Sequence, residues 1–592
     1  MSEQRPVRIA NCSGFYGDRF SAALEMVEGG PIDVLTGDYL AELTMLVLWK
    51  ARKKDSGGGY AKTFLSQMEQ ILGTCLDRGI RVVTNAGGLN PVSLRDDLVS
   101  LAHRIGLAPR IAYIQGDDLI DRVDELIMSG HTFANLDTGQ PLADAGVEPV
   151  TANAYLGGWG IVEALGAGAD IVVCPRVTDA SLVLGPAAWW HGWAHDDFDA
   201  LAGAVVAGHV IECGPQATGG NYPWIEEIVD RRLPGFPIAE VSADGSAVIT
   251  KHPGTGGLVS RGTVTAQLLY EIAEPAYANP DVTAHFDTVS LCQEDVDRVR
   301  IFGVRGTPPT ENLKVALNYF GGYRNSMTLV LTGLDIEEKA GWAEAELFAS
   351  LGGKERFREV DVRLERFDHE NADTNELATA HLQITVKDSD PLLVGRVFSN
   401  AVMELALSSY PGFFTTSPPT AGSAYGVFWP SLIPVGLVEQ RVVLPDGTVR
   451  LVPHTAGGAA DSTDPDRFQP NDTGSPMVQQ QSTQRVPLGR ICGARSGDKG
   501  GNANVGLWTR DPVSYAWLRE EVTVETLREL IPEAHDLTIH RYELSNLMAV
   551  NFVIVGLLGE GVASSTRPDP QAKGLGEYLR SRFVDVPVSL LN

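Results

Sequence analysis

Over the first 180 residues of the chain, short apolar runs alternate with longer stretches that mix polar and apolar residues. Short runs rich in Val and Ile each end in a cluster of Gly, Asn, Asp or Arg; they lie in residues 7–18, 32–42, 81–91, 110–119 and 169–180. Such runs, separated by stretches long enough for a helix, are typical of buried parallel strands in βαβ units. Because ligands of these sheets bind beyond the carboxyl ends of the strands, the pattern predicts a small-molecule site built from several loops.

The same pattern predicts three folded regions and one linker. Residues 1–295 form a parallel-sheet α/β body, residues 296–455 a second α/β unit, and residues 487–592 an antiparallel α+β domain with helices on one face. Residues 456–486 have no apolar period and are rich in Asp, Pro, Gln and Ser, which is typical of a linker. The predicted fold class is therefore α/β with a C-terminal α+β domain.

The net charge of the chain limits the classes of molecule that it can bind. The chain has 592 residues and a formal net charge of −28, and residues 487–592 hold 11 Lys and Arg against 13 Asp and Glu, so the acidic excess lies almost wholly before them. An acidic body repels phosphate backbones and anionic lipid surfaces, which excludes nucleic acid and membranes as partners. The predicted partner is a small-molecule substrate, and an apolar body with sheet edges favours a homo-oligomer.

Segment lengths and cysteines indicate the compartment. No apolar run approaches the roughly 20 residues of a membrane span, and the N-terminus has no basic-then-apolar signal region. The six cysteines are far apart and form no CxxC pair, which favours reduced thiols. We therefore expect a cytoplasmic protein.

A glycine loop follows the first predicted strand and contains Ser13, Gly14, Gly17 and Asp18. Glycines let a backbone approach a ligand, and the N-terminus of the helix that follows offers N–H groups to an anion. The GxxG spacing matches neither GxGxxG nor the phosphate-binding GxxxxGK[ST]. Two interpretations stay open: an anion-binding loop, or a turn in which Asp18 caps the helix.

Acidic side chains follow the second and fourth predicted strands. Asp38 and Glu42 are four residues apart, so a helix beginning there would place both carboxylates on one face. Two carboxylates in a closed site have pKa values that move apart, which suits proton transfer, although a solvated face is the commoner explanation. Asp117 and Asp118 are neighbours that point different ways, so at most one should face the site.

Amides and glycines follow the third predicted strand. Asn85 and Asn90 flank Gly87 and Gly88 in the string TNAGGLNP. Their amide and N–H groups could stabilise an oxyanion, or Gly and Asn could simply form a tight turn.

The fifth predicted strand ends in Arg176 and Asp179. An arginine there suits a substrate carboxylate, although a structural Arg–Asp pair explains both residues nearly as well. His209, Glu212 and Cys213 follow in a glycine-rich stretch without HExxH or paired-cysteine spacing, so no metal site is predicted.

A polar segment near the C-terminus joins two predicted strands. It runs from Arg495 to Asn504, longer than the two to five residues of a simple hairpin. Arg495 and Lys499 could neutralise an anion, and Ser496, Asp498 and Asn504 complete the candidate binding set.

These strings together resemble one known family. NCSGFYGDR, GDYLAE, TNAGGLNP, ANAYLG, GHVIECGPQATGGN and VSRGTVTAQLLYEI are similar to the acyclic terpene utilisation protein A (AtuA) family, and RSGDKGGNANVG and RYELSNLMAVNF to the ferredoxin-fold domain usually appended to it. The resemblance covers nearly the whole chain apart from the linker. It implies a cytosolic bacterial protein of acyclic terpene catabolism, whose pathways run through branched acyl-CoA thioesters, and a ferredoxin-like fold for residues 487–592. It implies no reaction and therefore no residue roles.

The leading hypothesis is a hydratase- or lyase-type enzyme that acts next to the thioester carbonyl of a branched or carboxylated acyl-CoA. Asp38, or one of Asp117 and Asp118, would move the proton. The amides after the third strand would hold the thioester oxygen, Arg176 would bind a substrate carboxylate, and Arg495 and Lys499 would meet CoA phosphates. A non-catalytic acyl-CoA-binding scaffold and a nucleotide-dependent enzyme are the alternatives. The cofactor is unknown, and a divalent cation among the acids is left open.

Overall fold

The computed structural model describes residues 5–457 and 482–591, so residues 458–481 of the predicted linker lie outside the described residues. The chain divides into two units. The first comprises Met1–Asn318, Phe428–Val562 and Asp569–Asn592; the second comprises Tyr319–Val427 and Ala563–Pro568. The second unit is shorter at both ends than the predicted segment 296–455, and the C-terminal domain falls mainly in the first unit.

The first unit begins with alternating strands and helices. Its strands up to residue 307 are β1 (Val7–Asn11), β2 (Val34–Gly37), β3 (Arg81–Thr84), β4 (Ile111–Gln115), β5 (Pro149–Ala154), β6 (Ile171–Val173), β7 (Pro237–Val241), β8 (Ala247–Lys251), β9 (Ala276–Ala278), β10 (Thr283–His285), β11 (Ser290–Asp295), β12 (Arg298–Phe302) and β13 (Arg305–Thr307). Its helices over the same range are α1 (Ala22–Gly29), α2 (Glu42–Lys54), α3 (Lys62–Arg78), α4 (Pro91–Arg104), α5 (Val123–Met128), α6 (Leu142–Ala145), α7 (Trp159–Gly166), α8 (Ser181–His191), α9 (Phe198–Ile211) and α10 (Arg261–Leu268).

All five apolar runs are strands of one sheet, which confirms the predicted α/β class. Their order is β1-β2-β3-β6-β4, and every neighbouring pair among them is parallel. The sheet continues beyond β1 through β7, β8, β12 and β11, which are antiparallel additions. Because the central strands run in one direction, the segments that follow them all leave from the same edge.

Helix α3 shows how a helical repeat of apolar residues packs a helix against the sheet. Met68, Ile71, Leu72 and Cys75 recur at three- and four-residue intervals and are buried in one cluster with strand residues of the sheet. The helix ends at Gly79, whose φ of 70° is left-handed, and the Gly79 N–H donates to a carbonyl of the last turn.

The second unit is antiparallel. A long strand, β14 (Asn312–Thr332), crosses from the first unit into the second and is followed by α11 (Ile336–Leu351), β15 (Glu359–Arg366), β16 (Thr379–Asp388), α12 (Phe398–Ser408), β17 (Phe414–Thr415) and β18 (Ser423–Pro434). Strands pair in the order β15-β16-β14-β17. Leu347 of α11 and Phe398 of α12 share a buried cluster with Leu329 and Leu382 of the strands. After this unit, β19 (Arg441–Val443) and β20 (Val449–Leu451) extend the first unit's sheet beside β4.

The C-terminal domain is the predicted antiparallel sheet with helices. Its elements are β21 (Thr483–Pro487), β22 (Gly493–Lys499), β23 (Asn502–Trp508), α13 (Pro512–Glu521), α14 (Val524–Leu530), β24 (Ile539–Leu544), β25 (Ala549–Ile554), α15 (Leu575–Ser581) and β26 (Phe583–Pro587). The main sheet has the order β22-β23-β25-β24.

The expected ten-residue loop from Arg495 to Asn504 is wrong. Lys499 pairs with Asn502, so β22 and β23 are joined by a two-residue turn at Gly500 and Gly501. Gly500 has a φ of 65°, the left-handed conformation that such turns require. The polar residues of this segment are therefore strand residues. Their polarity suggested a loop, but in the fold their side chains are hydrogen-bonded to buried partners.

Candidate functional site

A cavity of about 190 Å³ lies in the first unit, beyond the carboxyl ends of β2 and β6. Its walls also include segments after β5 and α9, the start of β14 and the end of β22. The polar lining is unusually dense in charge and includes Glu42, Tyr155, Arg176, Asp179, His209, Glu212, Glu271, Tyr277, Asn279, Lys314, Asp498 and Lys499. The site thus combines the α/β body with two residues of the C-terminal domain.

Arg176 is held by three kinds of contact. Its Nη1 donates to the carbonyl oxygen of Leu40 at 2.7 Å and lies 3.1 Å from Asp179 Oδ1. Its guanidinium carbon lies 4.1 Å from the ring centre of Tyr155. Its backbone N–H donates to Asp117 Oδ2 at 3.2 Å. These contacts hold a buried cation in one orientation at the cavity wall.

Asp38 is buried directly behind this arginine. Its carboxylate accepts a hydrogen bond of 2.6 Å from Asn85 Nδ2, and Asn85 Oδ1 accepts one of 2.8 Å from the backbone of Tyr39. Burial and the nearby Asp179 raise the pKa of Asp38 well above its usual range, against the opposing effect of Arg176. Burial also raises the pKa of Asp179, against the opposing effect of Arg176. Two carboxyls with raised pKa values therefore lie beside a fixed cation.

Glu42 behaves differently because cations outweigh its burial. Lys314 Nζ lies 3.4 Å from Glu42 Oε1. Burial alone would raise the pKa of Glu42, but Lys314 and Arg176 lower it to about 2. Burial, and then the Glu42 charge, raise the pKa of Asp498 on β22 to about 7. Carboxyls in both protonation states are thus present in one cavity at neutral pH.

His209 is a neutral imidazole whose proton can be assigned. Burial and the Lys499 charge lower its pKa to about 4. Its Nε2 lies 3.1 Å from the carbonyl oxygen of Gln267, which can only accept, so Nε2 carries the proton. Its Nδ1 is then unprotonated and lies 3.2 Å from Glu212 Oε1, but it has no hydrogen-bond partner among the described residues. Burial and Asp179 raise the pKa of Glu212 well above its usual range, so a carboxyl that favours its neutral form lies beside this nitrogen.

Two donors at the cavity wall lack partners. Among the described residues, the Tyr155 hydroxyl and the Asn279 Nδ2 are buried polar atoms without a hydrogen-bond partner. A buried donor without a partner costs about 1–3 kcal/mol. A bound oxygen atom would remove that cost.

The predicted site residues divide into two groups. The structure brings Glu42, Arg176, Asp179, Asp498 and Lys499 to the cavity wall, with Asp38, Asn85 and Asp117 one contact behind them.

The first glycine loop lies apart from this wall and is satisfied internally. Asp18 Oδ2 accepts from the Gly14 N–H at 2.8 Å, and Ser13 Oγ donates to the Phe15 carbonyl. A Cβ at Gly14 would lie 2.8 Å from the carbonyl carbon of Cys213, so close packing explains that glycine. Gly17 likewise faces the ring of Phe15.

The residues after β3 are also used by the fold. The N–H of Gly87 donates to Cys174 and that of Gly88 to Asn85, so neither is available to a thioester oxygen. Asn90 is the N-cap of α4 and accepts from the Ser93 N–H.

Asp118 is half-exposed and lies outside the cavity lining. It accepts from the Ile120 N–H and lies 3.9 Å from Arg52.

Three predicted residues of β22 and β23 lie elsewhere. Arg495 and Ser496 line a second cavity of about 280 Å³, where Arg495 bonds Gln216. Ser496 Oγ donates to the Ala572 carbonyl at 2.6 Å. Asn504 is fully buried, and its Oδ1 accepts from the Glu271 N–H at 2.8 Å. The contacts of Arg495 and Asn504 join the C-terminal domain to the body, whereas the Ser496 bond lies within the C-terminal domain.

The sequence patterns did not indicate several of the residues that line the cavity. Tyr155 and Glu271 lie within family-like strings, ANAYLG and LLYEI, which was the available signal. His209 and Glu212 were considered only as metal ligands. Lys314 gave no signal, because it lies in a long strand whose pattern says nothing about a distant cavity.

Residues 5–457 and 482–591 contain neither a cluster of metal ligands nor a membrane-spanning helix. No group of three or more His, Cys, Asp or Glu side chains in these ranges could hold a metal ion. None of the helices there has the length and apolar character to span a bilayer.

The fold and cavity together define a two-part α/β protein with a charged cavity at the carboxyl edge of a parallel sheet. Residues 7–444 match the model of the acyclic terpene utilisation family protein AtuA, and residues 486–585 match the AtuA ferredoxin-like domain. The chain belongs to the AtuA family, which is involved in acyclic terpene utilisation. No curated protein and no solved structure matches the chain.

Proposed function

We propose that this protein is an enzyme that moves a proton at the carbon next to the carbonyl group of a branched or carboxylated acyl-CoA. The observation that carries the proposal is the ion pair of Arg176 and Asp179 at the cavity wall, with the buried Asp38 behind it and the pKa values of both carboxyls raised by burial. Hydration or elimination of water at such a carbon needs one base and one acid in the same site. A carboxyl pair with raised pKa values supplies both.

The cations of the cavity suit an anionic acyl group. Arg176 and Lys314 line the cavity, and Glu42 is the partner of Lys314. A substrate carboxylate would pair with Arg176 as a bidentate acceptor. A cavity of about 190 Å³ has room for an acyl group and not for a whole CoA, so the nucleotide part would remain outside.

Tyr155 and Asn279 are the proposed oxyanion donors. Both present a buried donor without a partner to the same cavity. Burial is the largest influence on Tyr155 and raises its pKa, so the phenol keeps its proton and can donate it. Two such donors would stabilise the negative charge that develops on a thioester oxygen when the neighbouring carbon loses a proton. This role replaces the one expected of Gly87 and Gly88.

Hydrogen–deuterium exchange tests the proposal without knowledge of the complete reaction. The full chain is incubated in D₂O with three CoA esters: a branched saturated, a branched unsaturated and a carboxylated acyl-CoA. The acyl mass is then measured. We expect enzyme-dependent deuterium in the acyl group of at least one ester. Asp38→Asn should abolish it, whereas the same change at the exposed Asp77 of α3 should leave it intact.

The result also separates the alternatives. A thermal shift with an ester, but no deuterium uptake, would overturn the enzyme proposal in favour of the acyl-CoA-binding scaffold. A nucleotide-dependent enzyme gains no support from the Gly14 loop, because Asp18 already occupies the Gly14 N–H.

A further inference from the structure

Lys499 is the one lining residue of the C-terminal domain that carries an amine. Its Nζ donates to the carbonyl oxygen of Glu271 at 3.0 Å and lies 5.5 Å from the ring centre of Tyr277. Among the ion pairs within 4 Å of the described residues, Lys499 has no part, whereas Lys314 in the same cavity is paired with Glu42. Lys499 is thus a partly buried lysine that lines a cavity without a carboxylate partner, which calls for another explanation.

Burial and a neighbouring cation act on the pKa of Lys499. Burial lowers this pKa and the Lys314 cation lowers it further, against the opposing charges of Glu271, Glu42 and Glu212. Desolvation next to another cation is the way in which proteins make a lysine nucleophilic near neutral pH. The carbonyl of Glu271 accepts one N–H and leaves the nitrogen lone pair for an electrophile in the cavity.

We propose that Lys499 forms a Schiff base with a ketone, and that the substrate class of this cavity is therefore a 3-oxo acid or its thioester. A thioester carbonyl alone would not form an imine, so the ketone is the group that Lys499 recognises. Arg176, another cation of the lining, would hold the acid end.

The covalent step balances with groups that line the cavity. The Nζ lone pair adds to the ketone carbon, the carbonyl π electrons move to oxygen, and a neutral carboxyl such as Glu212 gives that oxygen a proton. The nitrogen then releases a proton, the hydroxyl group takes it and leaves as water, and the nitrogen lone pair forms the C=N bond. One amine, one ketone and one proton give one iminium ion and one water.

The inference deepens the proposed function and rests on it. An iminium ion withdraws electrons from the neighbouring carbon, so the proton that the Asp38–Asp179 pair would remove becomes more acidic. Trapping the imine requires no proton transfer at carbon, so its failure and the failure of deuterium exchange are separate results.

Reductive trapping tests the proposal. The full chain is treated with acetoacetate and sodium borohydride, which reduces an imine to a stable secondary amine, and peptides are then mapped by mass spectrometry. We expect Lys499 to gain the mass of the reduced adduct, at a yield at least tenfold above that of any other lysine. Lys387 is the internal control, because it is a buried lysine whose Nζ is held by Glu359 at 2.8 and 2.9 Å.

Two further measurements complete the test. Lys499→Arg keeps an N–H donor for the Glu271 carbonyl but cannot form an imine, and should lower total incorporation to the level of surface lysines. The yield on the wild-type chain should rise with pH as the amine loses its proton. Labelling of Lys499 at or below the level of exposed lysines, or labelling that does not change with pH, would overturn the proposal even if the Lys499→Arg chain failed to fold.

Discussion

Asn85 donates from Nδ2 to Asp38 Oδ1 at 2.6 Å and thereby joins the residues that follow two neighbouring parallel strands. The same side chain accepts the N–H of Tyr39, so both ends of its amide are used. Because Asn85 is completely buried, water cannot replace either bond. The orientation of the proposed proton carrier therefore depends on Asn85 together with the Leu40 N–H, which donates to the same Asp38 oxygen at 3.1 Å.

Replacing Asn85 with leucine should lower the free energy of unfolding by about 2–4 kcal/mol, since it leaves one buried donor and one buried acceptor unsatisfied. Urea denaturation of the full chain measures this. Asn400 is exposed on α12, and the same change there should stay within about 0.5 kcal/mol. Equal losses in the two variants would contradict the assigned role.

Gly116 carries Asp117 into position and tolerates no side chain. Its φ is 113°, and a Cβ there would overlap the carbonyl oxygen of Glu439. Gly116→Ala should cost about 3 kcal/mol or more, because backbone strain and a backbone clash add. Gly139 has a φ of 72° with open space around it, so Gly139→Ala should cost only about 1 kcal/mol of strain. Thermal unfolding of both variants checks the difference.

Asp281 should make stability depend on pH. Burial raises its pKa to about 6, above the value of about 3.9 in an unfolded chain. The folded state therefore binds the extra proton between these values, and the contribution of Asp281 to stability falls as the pH rises from 4 to 6. Asp281→Asn keeps an acceptor for the Gly158 N–H, bonded at 2.7 Å, but has no charge to bury.

This variant should match the wild type at pH 4 and exceed its stability by about 3 kcal/mol at pH 8, since each pKa unit corresponds to about 1.4 kcal/mol. Denaturation curves across this range provide the measurement. Asp77→Asn, on the exposed side of α3, should give a flat difference. A gain that does not grow with pH would refute the buried-acid explanation.

Arg176 should not be replaceable by lysine. An ammonium group cannot bond Leu40, face Asp179 and stack on Tyr155 at the same time. We expect Arg176→Lys to lower the free energy of unfolding by about 2–4 kcal/mol and to remove any thermal shift produced by a carboxylated acyl-CoA. Arg104→Lys, at an exposed pair with Glu69, should change neither quantity appreciably.

The apolar pattern located the parallel strands well because their periodicity is local. Val34 and Val82 are buried in the strands that their runs predict, and Asp38 and Asn85 follow those strands as expected. The ends of β22 and β23 were misjudged, since Ser496 and Asn504 look like loop residues until their buried partners are known.

Local sequence therefore determined the class of fold, the common edge of the sheet and the family to which the chain belongs. Only the tertiary structure decided which polar residues share the cavity. It brought Lys314 and Lys499 to Glu42 and Arg176 from segments far along the chain, and it left Asp18 and Asp118 outside. The reason is physical: strand direction and burial follow from neighbouring residues, whereas the protonation and partners of a side chain depend on charges that only the folded chain brings near.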